Sequence, residues 1–305
     1  MDASAACEFD RVVFDSGMVR VGAFRCETSH PCFHNSGPAK NYCFVFPRTA
    51  VEIQHEHERA FVANPNVVTL YNQGQAYLRN AISREGDRCD WFGVQIDTVQ
   101  DVVRAFDPAV DSRPEWPFRF TRGWADAGAY LVQRRIFEHV VGGATAGPLA
   151  IEEAVVYLLE RVVRSTYGTA HAQPHAIAPR QRDIVHHIEL ILSQRWGERM
   201  TLRDIASEAA LSPYHLCRLF RRATGTTLHQ YREKLHIRWS LESVIETRRP
   251  LVDIALETGF SSHSHFTSSF RREFGEAPSG VRAGKGFDSD GAARNILIAG
   301  SVAIG

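Results

Sequence analysis

The chain has 305 residues, 35 basic and 35 acidic, with 44% hydrophobic and 23% charged residues; that length holds two domains with separate cores, and the composition excludes disordered and collagen-like chains. No apolar run approaches the roughly 20 residues a membrane helix needs. The opening MDASAACEFDRVVF lacks a secretion signal, so a cytoplasmic location is expected.

The zero net charge averages two unlike parts. Residues 1–179 carry 17 basic against 21 acidic residues, whereas residues 180–285 carry 17 against 12. A basic segment joined to an acidic one points to a polyanionic partner for the C-terminal part only. The six cysteines (Cys7, Cys26, Cys32, Cys43, Cys89, Cys217) are too sparse for a disulfide framework and include no C-x-x-C pair. Reduced thiols are the reading.

From about Phe9 to Val110 the sequence is β-rich. The runs MVRVGAFRC, NYCFVFP, AVEIQ, NVVTLY and WFGVQI are β-branched or aromatic, and SGPAK, ANPN, NQGQ and REGD separate them. Many short strands between turn formers predict an antiparallel sandwich or small barrel. The period then lengthens. Leu131, Ile136, Phe137 and Val140 mark a helix from about Asp126 to Val141; Ile151, Val155, Leu158, Leu159 and Val162 mark a second from Leu149 to Ser165, with GGATAGP as their connection.

Residues 1–167 thus form a first domain. The segment 168–180 (GTAHAQPHAIAPR) has two prolines and no periodic face, and reads as a linker. Residues 181–284 are helical in period, and 285–305 are Gly-rich and read as a flexible tail.

One pattern occurs twice in the helical part. IASEAALSPYHLCRLFRRATG runs from Ile205 to Gly225, and IALETGFSSHSHFTSSFRREFG from Ile254 to Gly275. Ile205, Ala206, Leu211 and Ser212 match Ile254, Ala255, Phe260 and Ser261. After one inserted residue, Leu216, Phe220, Arg221, Arg222 and Gly225 match Phe266, Phe270, Arg271, Arg272 and Gly275. Each copy reads as a short helix, a tight turn and a second helix. Gly259 supplies the second turn, where positive φ is easiest for glycine. Ser212 before Pro213 is a helix start, and Ser261 or Ser262 does the same in the second copy.

Helical phase separates the faces. Leu216, Leu219 and Phe220 share one side of the first repeat's second helix, which must be buried; Tyr214, Arg218 and Arg221 fall opposite, with Cys217 at the edge. In the second copy Phe266 and Phe270 are buried, so Ser264, Ser268 and Arg271 face outward beside His263 and His265. An arginine-bearing outer face, backed by a short helix, suits entry into a major groove.

These residues resemble the arabinose-regulator (AraC/XylS) family of bacterial transcription regulators. The likeness covers about Ile184 to Arg282, from DIVHHIELILSQRW through HQYREKLHIRWSLESVIET to GFSSHSHFTSSFRREFGEAPSGVR. It implies an all-α domain of about seven helices that sets two recognition helices into successive major grooves of one DNA face. By position, the base-reading residues it implies are Tyr214, Cys217 and Arg218, then His263, Ser264, His265 and Ser268. Arg218 is the strongest reader, since a guanidinium can meet guanine O6 and N7 together. Ser212, Arg221, Arg222, Arg271 and Arg272 are the candidates for phosphate contact, which sets register rather than sequence. The chain departs from the family pattern at Ala210, where glycine is frequent, at His236 and Ser268, where arginine is frequent, and at Val281, where an aromatic is usual.

For the first domain the resemblance implies a cupin-like barrel holding a small effector, with the two-helix segment joining a homodimer. The whole is then an α+β chain: a transcription regulator, often an activator touching RNA polymerase, with no catalytic role and no cofactor. The alternative is a metal-dependent cupin enzyme, or a thiol or zinc sensor, fused to a DNA-binding domain. Cys26, His30, Cys32 and His34 are spaced closely enough to gather around a metal, as are His55 and His57. Glu58 directly follows His57, however, and no second ligand motif matches, so no metal ligands are assigned.

Overall fold

The computed structural model describes residues 9–34, 37–142, 147–171, 177–198 and 200–283. The chain divides into two compact units near residue 170. The expected tail and the centre of the helix connection lie outside the described residues.

The first unit is built on β1 (Asp10–Asp15), β2 (Val19–Cys26), β3 (Cys43–Pro47), β4 (Val51–His55), β5 (Phe61–Ala63), β6 (Val67–Tyr71), β7 (Tyr77–Ala81), β8 (Asp87–Val94) and β9 (Arg122–Trp124). Among the described residues these make a six-stranded sheet, β1-β2-β8-β3-β6-β9, and a three-stranded sheet, β5-β4-β7, antiparallel throughout. Alternation sets the inner faces: Val51, Ile53 and His55 of β4 are buried, while Gln54 is exposed. The core cluster takes Cys26 and Val67 from one sheet and Val51, Ile53, Phe61 and Ala63 from the other, so it lies between the two. A buried ion pair also joins them, Arg79 Nε on β7 to Asp87 Oδ2 on β8 at 2.6 Å. The Phe24 ring covers that guanidinium at 4.4 Å.

The five expected strands correspond to β2, β3, β4, β6 and β8. The β-rich reading up to Val110 needs one correction. Ile96 ends the run WFGVQI but opens a helix, α1 (Ile96–Arg104), with Val99 and Val103 buried at i and i+4. Its valines have a β bias that hid the helical period.

Asp126 caps α2 (Ala127–Val141), its Oδ1 accepting from Ala129 N at 2.9 Å. This helix is enclosed by its own chain further than its apolar stripe suggested. Arg134 is 1% exposed and donates to Asp90 of β8 at 2.5 Å, while Tyr130 meets Phe46 of β3. The next helix, α3 (Pro148–His171), buries Ile151, Val155, Leu158, Leu159 and Val162 as expected. It also runs four residues into the stretch read as a linker. Buried Thr166 and Tyr167 anchor that last turn, and a helical glycine at 168 costs only about 1 kcal/mol relative to alanine.

The second unit contains α4 (Pro179–Gln194), α5 (Leu202–Glu208), α6 (Pro213–Thr224), α7 (Leu228–Glu246), α8 (Leu251–Glu257), α9 (His263–Phe274) and α10 (Pro278–Arg282). Its hub is α7, which starts from a Thr227–Gln230 capping box. Leu228, Tyr231, Leu235, Ile237, Leu241 and Val244 are buried around nearly its whole circumference, the signature of a helix surrounded by others. It packs against α6, α8, α9 and α10. No helix of the described residues is long and apolar enough to cross a membrane.

Candidate nucleic-acid interface

The two copies of the repeat close with the same backbone geometry. At the end of α5, Leu211 N donates to Ala206 O at 2.9 Å and Ala210 N to Ser207 O at 3.1 Å; at the end of α8, Phe260 N donates to Ala255 O at 2.9 Å and Gly259 N to Leu256 O at 3.1 Å. Both are Schellman closures, which need a left-handed residue after the helix. Gly259 meets that need with φ 84, and a Cβ there would lie 3.0 Å from the His236 ring. In the first copy Ala210 is forced to φ 52. An L-residue in that region is strained by roughly 1–2 kcal/mol, partly offset by glycine's greater freedom in the unfolded chain. Ala210→Gly is therefore expected to stabilise the unit by about 0.5–1 kcal/mol, read as a higher denaturation midpoint at unchanged m-value. A fall in stability would show that the turn is not strained.

The second helix of each copy then starts on a serine. Ser212 Oγ accepts from His215 N at 3.2 Å, and Ser262 Oγ from His265 N at 3.1 Å, so the second cap is Ser262 rather than Ser261. Each ends on a left-handed glycine, Gly225 (φ 73) and Gly275 (φ 77). Leu216, Leu219 and Phe220 are buried beneath α6, and Phe220 meets Tyr231 of α7 edge-on at 5.3 Å. Beneath α9 lie Phe266, Ser269, Phe270 and Phe274.

The opposite faces are open. Tyr214 is 74% exposed, and Cys217, Arg218, Arg221 and Arg222 are exposed beside it on α6. His263, Ser264, His265, Ser268, Arg271 and Arg272 are exposed on α9. Each set is gathered on one helix. Among the described residues, Arg218, Arg221, Arg222 and Arg271 have no acidic partner, which leaves their guanidinium groups available to an anion.

Two α7 residues that no sequence motif marks, Glu233 and Arg238, hold α9 in place. Glu233 Oε1 accepts from Ser269 Oγ at 2.6 Å and from Arg272 at 2.6 Å. Arg238, 2% exposed, donates to Glu273 Oε1 through Nε at 2.9 Å and a terminal nitrogen at 2.7 Å. The partners are more than 30 residues apart, so no local spacing signals them.

In the first unit the histidines and cysteines considered for metal binding are scattered. His55 and Cys26 are buried, Cys32, His34 and His57 are exposed, and His30 packs on Phe9. Among the described residues, no His, Cys, Asp or Glu group is arranged to hold a metal ion.

The family description "Helix-turn-helix domain" matches residues 205–284, which span both repeats. A solved transcriptional regulator from Chromobacterium violaceum, described as containing an AraC-type DNA-binding domain, is similar over 35% of this chain and 96% of that one, at 27% identity and a TM-score of 0.33. PqrA of Proteus vulgaris is 33% identical over 100 residues, covering 33% of this chain and 80% of that protein. The chain belongs to the AraC family. The HTH-type transcriptional regulator YbfI of Bacillus subtilis is 30% identical over 127 residues, 42% of this AraC-family chain and 45% of YbfI. Less than half of YbfI is spanned, and the likeness to PqrA is confined to a third of the chain. It is the repeat-bearing unit that carries the family.

Proposed function

We propose that this AraC-family chain is a sequence-specific transcription regulator that grips duplex DNA with α6 and α9. The observation that carries this is the pair of helices with the same turn, cap and buried face, each presenting an open polar face. Lying in successive major grooves of one DNA face, α6 reads bases through Tyr214, Cys217 and Arg218, and α9 through His263, Ser264, His265 and Ser268. Arg221, Arg222 and Arg271 bind phosphates. Ser212, whose acceptor lone pair caps α6, retains its hydroxyl proton for a phosphate oxygen.

The first unit is the sensor: a cupin-like barrel in which the sheets enclose a small effector. Its core supports this. His55 is 1% exposed and neither ring nitrogen has a hydrogen-bond partner among the described residues, yet it lies 4.9 Å from the Tyr71 ring and stacks on Phe61. A bound effector would supply the hydrogen-bond partner that this buried ring lacks. Homodimerisation through the α2–α3 segment, where Leu149 is 67% exposed, would bring two DNA-binding units to neighbouring half-sites. Contact with RNA polymerase and a cytoplasmic location complete the reading.

Arg218→Ala tests it. The substitution is expected to cost roughly 1–3 kcal/mol at the preferred site and to relax one base position, as read by selection from a random oligonucleotide pool. Equal loss on selected and random DNA would make Arg218 a phosphate contact, and no loss on either would remove α6 from the duplex.

A further inference from the structure

By sequence, Arg222 of α6 and Arg272 of α9 are the same position of the repeat. In the structure they are not equivalent. Arg272 donates to Glu233 Oε1 of α7 at 2.6 Å and to Ser269 Oγ at 3.2 Å, and His265 Nε2 lies 3.7 Å from the same carboxylate oxygen. Residues 265, 269 and 272 follow one another at spacings of four and three, so they line one flank of α9, and Glu233 faces that flank. Arg222 has no acidic partner among the described residues.

We propose that Glu233 is a positioning residue that sets the share of DNA binding carried by the second recognition helix. It holds Arg272 against the protein, so that Arg272 makes no phosphate contact on the duplex. The reason is local electrostatics. The Glu233 side chain is only 16% exposed, against 65% for Arg272. A phosphate that took Arg272 would leave a largely desolvated carboxylate with Ser269 as its remaining close donor, which is far costlier than releasing an exposed surface pair. Glu233 also repels an approaching phosphate. The second helix thus presents His263, Ser264, His265, Ser268 and Arg271, with one fewer arginine anchor for phosphate than its repeat partner.

This rests on the reading of α9 as a DNA-facing helix, and the test separates the two. The measurement is equilibrium binding of the full chain to a random-sequence duplex over a salt series, where each phosphate contact contributes about 0.9 to the slope of log K against log salt. Arg272→Ala is expected to leave the wild-type slope unchanged. Glu233→Gln is expected to steepen it by about 0.9 by releasing Arg272, and adding Arg272→Ala to Glu233→Gln should cancel that increment.

A wild-type slope that falls by about 0.9 on Arg272→Ala alone would overturn the proposal, and this arm does not require the Glu233 variant to fold. So would weaker binding by Glu233→Gln at unchanged slope, the mark of a merely structural role. Absence of any salt-dependent binding by the wild-type chain would instead remove the DNA-binding reading, and the proposal with it.

Discussion

Arg238→Ala is expected to destabilise the C-terminal unit by about 3–5 kcal/mol. Arg238 is 2% exposed and Glu273 12%, and the guanidinium approaches one carboxylate oxygen through two nitrogens, at 2.9 and 2.7 Å. Removing the arginine strands a desolvated carboxylate on the face of α9 that packs on α7. The cost is that stranded charge rather than the worth of the pair. Replacing both partners by apolar residues of similar volume, Arg238→Met with Glu273→Leu, should therefore restore most of the stability. Hydrogen exchange of the α7 and α9 amides, with chemical denaturation of the full chain, reads both variants. If the single variant lost less than 1 kcal/mol, the pair would be solvated in solution; if the double variant were no better than the single one, packing rather than charge would hold the two helices together.

The second large effect is acid sensitivity through His236. This α7 side chain is 6% exposed and its Nε2 has no hydrogen-bond partner among the described residues. Burial, reinforced by the nearby Arg232 guanidinium, lowers its pKa from 6.5 to about 4. The unfolded chain therefore binds a proton between pH 6.5 and 4 that the folded chain refuses. The associated stability is fully present above pH 6.5 and declines as pH falls, by about 1.4 kcal/mol per pH unit and about 3 kcal/mol in total near pH 4. His236→Phe, a neutral ring of similar shape, should flatten this part of the profile for the C-terminal unit while leaving carboxylate titrations in place. An unchanged slope between pH 6.5 and 5 would show that His236 protonates without resistance.

His55 behaves alike in the other unit. Burial first, and Arg122 second, lower its pKa to about 4, so mild acid should loosen both units independently. Hydrogen exchange separates them, because the β4 amides report on His55 and the α7 amides on His236.

The signals legible in the sequence are local. The period of 3.6 residues separates Leu216, Leu219 and Phe220 from Tyr214, Cys217 and Arg218, and Ser212-Pro213 marks where α6 begins. The repeat in turn assigned the same roles to α9. Such signals survive because a helix face, a cap and a left-handed turn are decided by residues within four positions of one another. Local signals mislead where they conflict with packing. The valines of α1 imitated a strand, and Gly168 imitated a linker although Thr166 and Tyr167 beside it are buried.

The AraC-family likeness and the outward faces of α6 and α9 thus follow from the order of residues alone. Long-range packing engages Arg272 and leaves Arg222 with no acidic partner among the described residues, puts on Ala210 the strain its counterpart Gly259 avoids, and encloses His55 between two sheets while His57, two residues on, is exposed. The engagement of Arg272 rests on Glu233, 39 residues away in sequence, and the burial of His55 on strands from both sheets. Pairings over such distances leave no periodic trace, because they arise from how finished elements pack.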